Sequence, residues 1–238
     1  MKILAIDTSG QQGNAAILNG YIVAGDISLN AKTGEKSWTH SEVLMPGIDS
    51  IFNLSGVSRE SIDYIAYTSG PGSFTGLRIG AATALGLANG LNKPSIPVPT
   101  LDALAYNMQG MGSNALVIPM MDARREQVYA AIYTLDAHGK IHRQTDYLAL
   151  PVTEVLAMAG DAPNIFVLGD GACAYKETIQ TTLPQCIFLP PSNNRQRAVS
   201  VALCAMDQIQ GGFTTPENIE LLYVRQPQAL QDLEKKTQ

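Results

Sequence analysis

The chain of 238 residues is 45% hydrophobic and 16% charged, enough apolar material for one large or two modest packed lobes and too much for a disordered chain. A net charge of −5 excludes the broad basic footprint of a protein that holds nucleic acid by itself. The longest apolar run, Ile79–Leu91, is broken by glycines, lies between Arg78 and Lys93, and falls short of the roughly 18 residues of a membrane span.

Lys2–Asp7 reads as a strand, and its final acid stands where a secretory signal would stay apolar, so a cytoplasmic location is expected. A turn over Thr8–Gly13 leads into strands Asn14–Asn19 and Tyr21–Asn30, joined at Gly20. Thr39, with Glu42 three residues on, predicts a capping box that opens a helix to about Asn53, kinked or weakened in its first half by Pro46. Strand Ile62–Thr68, a glycine-rich loop, a helix over 76–90 and a short strand Ser95–Val98 complete a first unit. The order then begins again. Ala115–Met121 and Gln127–Leu135 read as paired strands, with a turn at Asp136–Gly139 and a further strand to about Leu150. A helix at Thr153–Ala159, strand Ile165–Leu168, the loop Gly169–Gly171, a helix to about Thr182 and a last helix over 195–210 follow. Two successive βββαβα units predict a duplicated α/β fold of two lobes, residues 1–105 and 106–238. That is the layout of the actin, hexokinase and Hsp70-like (ASKHA) superfamily. The last helix is a candidate to pack back on the first lobe, and the polar tail 227–238 is expected to be disordered.

Three segments carry candidate chemistry. The first is Ser69–Arg78, where Gly70, Gly72 and Gly76 with Ser73 bring the chain into the N-terminus of a helix, a geometry suited to an anion or to a tight contact. It is no Walker A loop, because it lacks the Lys-Ser/Thr pair. It is no dinucleotide fingerprint either, because no acid follows from Ser69 through Leu101. The second is Asp7-Thr8-Ser9 at a strand end, where actin-like folds begin a phosphate loop, with an ordinary Asx turn as the alternative. The third is Gly169-Asp170-Gly171, its counterpart in the second unit and a candidate degenerate phosphate loop. Gly76, Gly80, Ala84 and Ala88 recur every four residues and form a small-residue seam, with Thr83, Gly86 and Gly90 beside it. Glycines in a helix interior cost about 1 kcal/mol each, so another backbone should approach closely, either the chain's own sheet or a helix of a second subunit. His138 and His142 match H-x-x-x-H, but in extended chain they stand about 13 Å apart and share no metal. Cys173, Cys186 and Cys204 fit neither a zinc spacing nor a disulfide framework and are expected to be reduced.

Taken together, Ile6-Asp7-Thr8-Ser9, His40-Ser41-Glu42, Ser69–Arg78, Met121–Arg125 with Val128-Tyr129, Gly169–Ala172 and Tyr223-Val224-Arg225 resemble the bacterial TsaB (YeaZ) family of tRNA threonylcarbamoyladenosine biosynthesis. The resemblance runs over nearly the whole chain. It implies an actin-like relative of the catalytic subunit TsaD in which the two metal-binding histidine positions fall on Thr100 and Leu104, so that no metal and no catalysis are expected of this chain. It further implies a scaffold that pairs with TsaD through helices equivalent to about 39–53 and 76–90, recruits TsaE, meets tRNA through the complex, and forms a homodimer through the same helices when TsaD is absent. On that basis the expected interface comprises His40, Val43, Leu44, Ile48, Ile51 and Phe52 on one helix. On the other it comprises Gly76, Arg78, Ile79, Gly80, Thr83, Ala84, Leu87 and Ala88. No cofactor is expected, with nucleotide at the shared interface the one residual candidate. The competing reading is an actin-like ATPase or kinase built on Asp7 and Gly169–Gly171.

Overall fold

In the computed structural model, which describes residues 1–30, 39–111, 114–213 and 221–225, the chain forms two mixed sheets, each with helices against it. The tail expected to be disordered lies outside the described residues. The first sheet has the order β3-β2-β1-β4-β5, from β1 (Lys2–Asp7), β2 (Gln12–Asn19), β3 (Ile22–Asn30), β4 (Tyr64–Gly70) and β5 (Ser95–Pro99). β1 pairs antiparallel with β2 and parallel with β4, in the register Leu4↔Ile65 and Ile6↔Tyr67. The second sheet repeats the pattern as β10-β7-β6-β11-β12, from β6 (Ala115–Asp122), β7 (Gln127–Ala130), β10 (Leu148–Pro151), β11 (Ile165–Leu168) and β12 (Ile187–Phe188), with β8 (Tyr133–Leu135) and β9 (Ile141–Arg143) paired beyond it. The single strand expected over Gln127–Leu135 is thus two: β7 pairs with Met120–Asp122 and β8 with Ala115–Val117, with buried Ala131 and Ile132 between them.

Helix α1 (His40–Ser55) starts at the expected capping box, with the Thr39 backbone N–H donating to the Glu42 carboxylate at 2.7 Å. It continues through Pro46, whose ring removes one backbone bond, and Ser50 Oγ donates to the Pro46 carbonyl at 2.7 Å. Helix α2 (Phe74–Leu91) begins earlier than its periodicity suggests, because Ser73 Oγ caps it by accepting from the Gly76 N–H at 3.2 Å. Leu44, Ile48, Ile51 and Phe52 of α1 and Ala81, Ala84 and Ala88 of α2 close one core over Leu4, Ile6, Ala15 and Ile17 of the sheet.

Two helices cross between the lobes. α3 (Thr100–Ala105) follows the first sheet yet packs against β6, and α7 (Ala198–Gln210) ends the second unit yet lies on β1 and β2. Ala198, Val201, Ala202 and Ala205 of α7 are wholly buried beside Ile3, Ala5 and Ala16. The remaining helices, α4 (Val152–Ala159), α5 (Asp170–Ala174) and α6 (Lys176–Thr182), cover the second sheet, the helix expected to run to Thr182 being divided at Tyr175.

The small-residue seam of α2 faces inward, which corrects the expectation that it is a partner surface. A Cβ on Gly76 would overlap the Thr8 carbonyl, and one on Gly80 would overlap the Thr8 hydroxyl. Gly76, Gly80, Ala84 and Ala88 are all buried, so the neighbour that accounts for them is the chain's own first strand end. Gly86 and Gly90 have nothing within 4 Å of a Cβ position. The same substitution should therefore act with opposite sign along one helix. Gly76→Ala should cost about 3 kcal/mol or more by overpacking against rigid backbone, whereas Gly86→Ala should stabilise by about 1 kcal/mol. Urea unfolding midpoints of the two variants check both signs.

Candidate functional site: the cleft between the lobes

β1 delivers Asp7 to the carboxyl end of its strand, where the side chain is buried and one of its oxygens is engaged from within. Asp7 Oδ1 accepts from Ser9 N at 2.8 Å, Ser9 Oγ at 2.7 Å and Thr68 Oγ1 at 3.1 Å. Burial pushes its carboxyl above the usual carboxylate range, opposed by the Ser9 and Thr68 bonds and by nearby His40. Thr8 points the other way and donates to the Gly76 carbonyl at 2.7 Å. The glycine loop meets this turn directly: Ser73 N–H donates to the Ser9 carbonyl at 2.7 Å, and a Cβ on Gly72 would press on Ser9. The two expected phosphate loops of the first lobe are therefore packed against each other.

In the second lobe Gly169 and Gly171 lie against the β6 backbone at Met120 and Met121, and Gly169, at φ 101°, takes a conformation open to glycine. Gly169 N–H donates to Asn194 Oδ1 at 2.6 Å. Asp170 and Gly171 form the first turn of α5 rather than a free loop. Burial raises the Asp170 carboxyl above its ordinary range, opposed by backbone hydrogen bonds from Asp122 and Gly171. Thr100 and Leu104 sit within the core on α3, each 1% exposed, with Leu104 packed among Leu101, Met121 and Leu168. Among the described residues no group of three His, Cys, Asp or Glu side chains is placed to hold a metal ion.

Between the lobes lies a cleft of about 800 Å³. Ser9, His40 and Ser73 line its first-lobe wall, and Asp122, Tyr129 and Asp170 its second. His40, at the start of α1, is hydrogen-bonded through Nε2 to the Gly10 carbonyl at 3.1 Å. Asp122 Oδ1 accepts from Arg124 N at 2.8 Å and from the Tyr175 hydroxyl at 3.1 Å. The turn that follows places three consecutive non-glycine residues, Arg124, Arg125 and Glu126, at φ between 55° and 65°. Residues 221–225 cross from one lobe to the other. Leu222 N–H donates to the Ser69 carbonyl at 2.7 Å, its own carbonyl fills the space where a Gly70 side chain would stand, and Arg225 donates to Ala123 O and to Gln127 Oε1. Met121–Arg125 with Val128-Tyr129 and Tyr223–Arg225 stand apart as motifs in the sequence, and their spacing gives no sign that they meet.

The residues expected at a partner interface divide in two. Leu44, Ile48, Ile51 and Phe52 are at most 5% exposed and serve the lobe's own core, as do Gly76, Gly80, Ala84 and Ala88. Both groups are lost to a surface because α1 and α2 must each cover the first sheet. His40, Val43, Ile79, Thr83 and Leu87 are half-buried and Arg78 is exposed. The outer face of α2 carries Ala82, Gly86 and Gly90.

Among the described residues no helix is long and apolar enough to cross a membrane. A family model described as TsaD: tRNA N6-adenosine threonylcarbamoyltransferase matches residues 34–213. The tRNA threonylcarbamoyladenosine biosynthesis protein TsaB of Haemophilus influenzae is 35% identical over 94% of both chains. TsaB of Escherichia coli is 37% identical over 60% of this chain and 59% of that one. YeaZ from Pseudomonas aeruginosa superposes with a TM-score of 0.75 at 25% identity, covering 93% of this chain and 99% of that one. A ROK hexokinase from Thermus thermophilus shares the fold alone, at 13% identity and TM-score 0.50 over 89% of this chain and 100% of that one. The two-lobed architecture is thus the actin-like one expected from the repeated βββαβα order, and the chain belongs to the TsaB branch of the family that the TsaD model describes, the tRNA threonylcarbamoyladenosine biosynthesis proteins.

Proposed function

We propose that this chain is a non-catalytic scaffold for threonylcarbamoyladenosine formation on tRNA, pairing with TsaD and, through that pair, recruiting TsaE. The observation that carries it is the fate of the positions where catalysis would sit. Leu104 fills core space against Gly169, Thr100 is buried beside it, and the glycine loops spend their close approaches on the chain's own backbone. Imidazoles at 100 and 104 would have no room without opening the lobe interface.

Pairing falls to the side of α1 and α2 that the sheet leaves uncovered. Ala82, Gly86 and Gly90 present a flat strip with no side chain over the last two, bordered by Ile79, Thr83 and Leu87, while Met45 and Leu54 of α1 stand 39% and 89% exposed. Small residues let a partner helix approach closely, and the half-buried apolar border supplies area to bury. A second copy of the chain could use the same strip through a two-fold axis in the absence of TsaD.

The ATPase or kinase reading asks Asp7 and Gly169–Gly171 to bind phosphates, yet Asp7 Oδ1 already accepts from Ser9 and Thr68, and Gly169 and Gly171 lie against the β6 backbone. Isothermal calorimetry with Mg-ATP on the isolated chain should give no micromolar binding.

In a reconstitution with TsaC, TsaD, TsaE and tRNA, leaving out this chain should abolish the modification; equal yield without it would overturn the scaffold reading. Gly86→Arg, placed where nothing lies within 4 Å, should abolish co-elution with TsaD at an unfolding temperature no lower than that of the parent chain, since it too removes a helix glycine. Asp7→Asn bears on the buried carboxyl. Because burial raises the folded-state pKa, Asp7 favours folding below its unfolded value of about 3.9, and that contribution is lost as pH rises through the folded value. The amide oxygen can accept the same bonds without the charge, so Asp7→Asn should gain stability relative to the parent chain between pH 4 and 7 and still support the reconstituted reaction. Thermal unfolding across about pH 4–7 checks the sign.

A further inference from the structure

Beside the cleft, segment 221–225 touches two other segments of the chain, the start of α2 and the turn after β6. Arg78 stacks its guanidinium 3.6 Å from the centroid of the Phe74 ring. Tyr223 lies against Phe74 with ring centroids 5.6 Å apart and the planes tilted by 40°, and the two residues are each 41% exposed. Arg225, two residues on, reaches over Tyr129 at 6.0 Å and holds the carbonyl of Ala123 at the root of the left-handed turn. That turn turns Arg124 and Arg125 outward. Asp122 pairs with Arg124 at 3.3 Å, while among the described residues no carboxylate lies within ion-pair reach of Arg78, Arg125 or Arg225. Three backbone positions in a sparsely populated conformation, held by a guanidinium from elsewhere in the chain, are a costly way to make a plain connection.

We propose that this surface is a binding platform for single-stranded RNA, in which an unpaired base stacks on the open side of the Tyr223–Phe74–Arg78 stack and the flanking phosphates meet Arg124 and Arg125. Half-exposed rings beside arginines suit an unstacked base, because every base offers a π-face and its neighbouring phosphates offer charge. A duplex, with its bases stacked internally, offers only the second. The net charge of −5 keeps the contact local, so the platform adds to RNA held mainly by another subunit rather than holding it alone. The choice of RNA as the nucleic acid rests on the tRNA reading above.

The test is fluorescence anisotropy at low salt, with the full chain alone and paired with TsaD, titrated onto a labelled RNA hairpin with an unpaired loop and onto a blunt RNA duplex. The hairpin should bind more tightly than the duplex. Tyr223→Leu should weaken the hairpin about tenfold or more with the duplex unchanged, and Tyr223→Phe should restore it. Arg125→Gln should weaken both RNAs and lower the salt slope by about 0.7. Arg78→Gln, an exposed change at the other end of the stack, reports on the same stack should Tyr223→Leu disturb segment 221–225. Equal affinity for hairpin and duplex, or hairpin affinity unmoved in both Tyr223→Leu and Arg78→Gln, overturns the platform. Loss of TsaD co-elution with RNA affinity intact would assign the surface to a protein contact and overturn the platform equally. If the platform fails while the reconstituted modification still requires the chain, the scaffold reading stands.

Discussion

The docking of the α2 N-terminus on the end of β1 sets the positions of nearly everything else. Thr8 and Ser9 leave the strand and are met at once by Gly72, Gly76 and Gly80, so closely that a methyl group at Gly76 has no place to go. The contact is fastened at both ends, by Thr8 Oγ1 on the Gly76 carbonyl and by Ser73 N–H on the Ser9 carbonyl. It fixes the rotation of α2 about its axis, since the seam must look at Thr8, and the opposite strip of Ala82, Gly86 and Gly90 must then look outward. It also consumes donors. A helix N-terminus attracts anions through N–H groups left without partners, and here Gly76 N–H goes to Ser73 Oγ while Ser73 N–H goes to Ser9. The shape of a phosphate loop survives with part of its hydrogen-bonding capacity already used.

The second lobe repeats the device with different residues. Gly169 and Gly171 bring α5 against Met120 and Met121 of β6, as Gly72 and Gly76 bring α2 against β1. Duplication thus extends from strand order to the way each lobe seats its helix at a strand end. The exchange of α3 and α7 then ties the lobes: α7 supplies Ala198, Val201, Ala202 and Ala205 to the core of the first sheet, and α3 supplies Leu101 and Leu104 to that of the second. Hydrogen bonds reinforce the crossing, with Tyr106 donating to Asp207 at 2.9 Å and Tyr133 to Asp102 at 2.6 Å. Separating the lobes would expose two apolar clusters together, so this packing holds the two units to each other.

The order of elements was legible because strand and helix periods differ and because Thr39–Glu42, Gly20 and the Asp136–Gly139 turn punctuate them clearly. The seam of α2 was legible as a close-contact surface; its direction was not. Periodicity places Gly76, Gly80, Ala84 and Ala88 on one face, but a face of small residues suits an internal sheet and an external helix equally, and only the position of Thr8 decides. The same holds for Leu44, Ile48, Ile51 and Phe52, an amphipathic stripe that any sheet-covering helix carries. The break between β7 and β8 escaped notice because Ala131 and Ile132 continue an apolar run while leaving the ladder. Contacts made by residues 221–225 join parts of the chain about 100 to 150 positions apart, and no local pattern encodes such a meeting.

With Thr100 and Leu104 both buried in the core, the chain still keeps the cleft, and the packing explains why. Leu104 and Thr100 sit on α3, where Leu101, Leu104 and Ala105 pack with Val117 and Met121 of β6, so core-forming side chains there tighten the lobe junction. The cleft itself is bounded by groups that serve structure first: Asp7 organises the turn of Ser9, Asp122 anchors Arg124 and Tyr175, and Arg225 pins the loop at Ala123. What these tasks leave free is the surface beside the cleft, where rings and guanidinium groups are held in place by neighbours yet half open to solvent. Catalytic groups must move protons or bind metal, and in this fold those roles compete with packing for the same buried positions. Recognition needs only surface held rigid from behind, and Gly70 against Leu222 with Arg225 against Ala123 supply that rigidity.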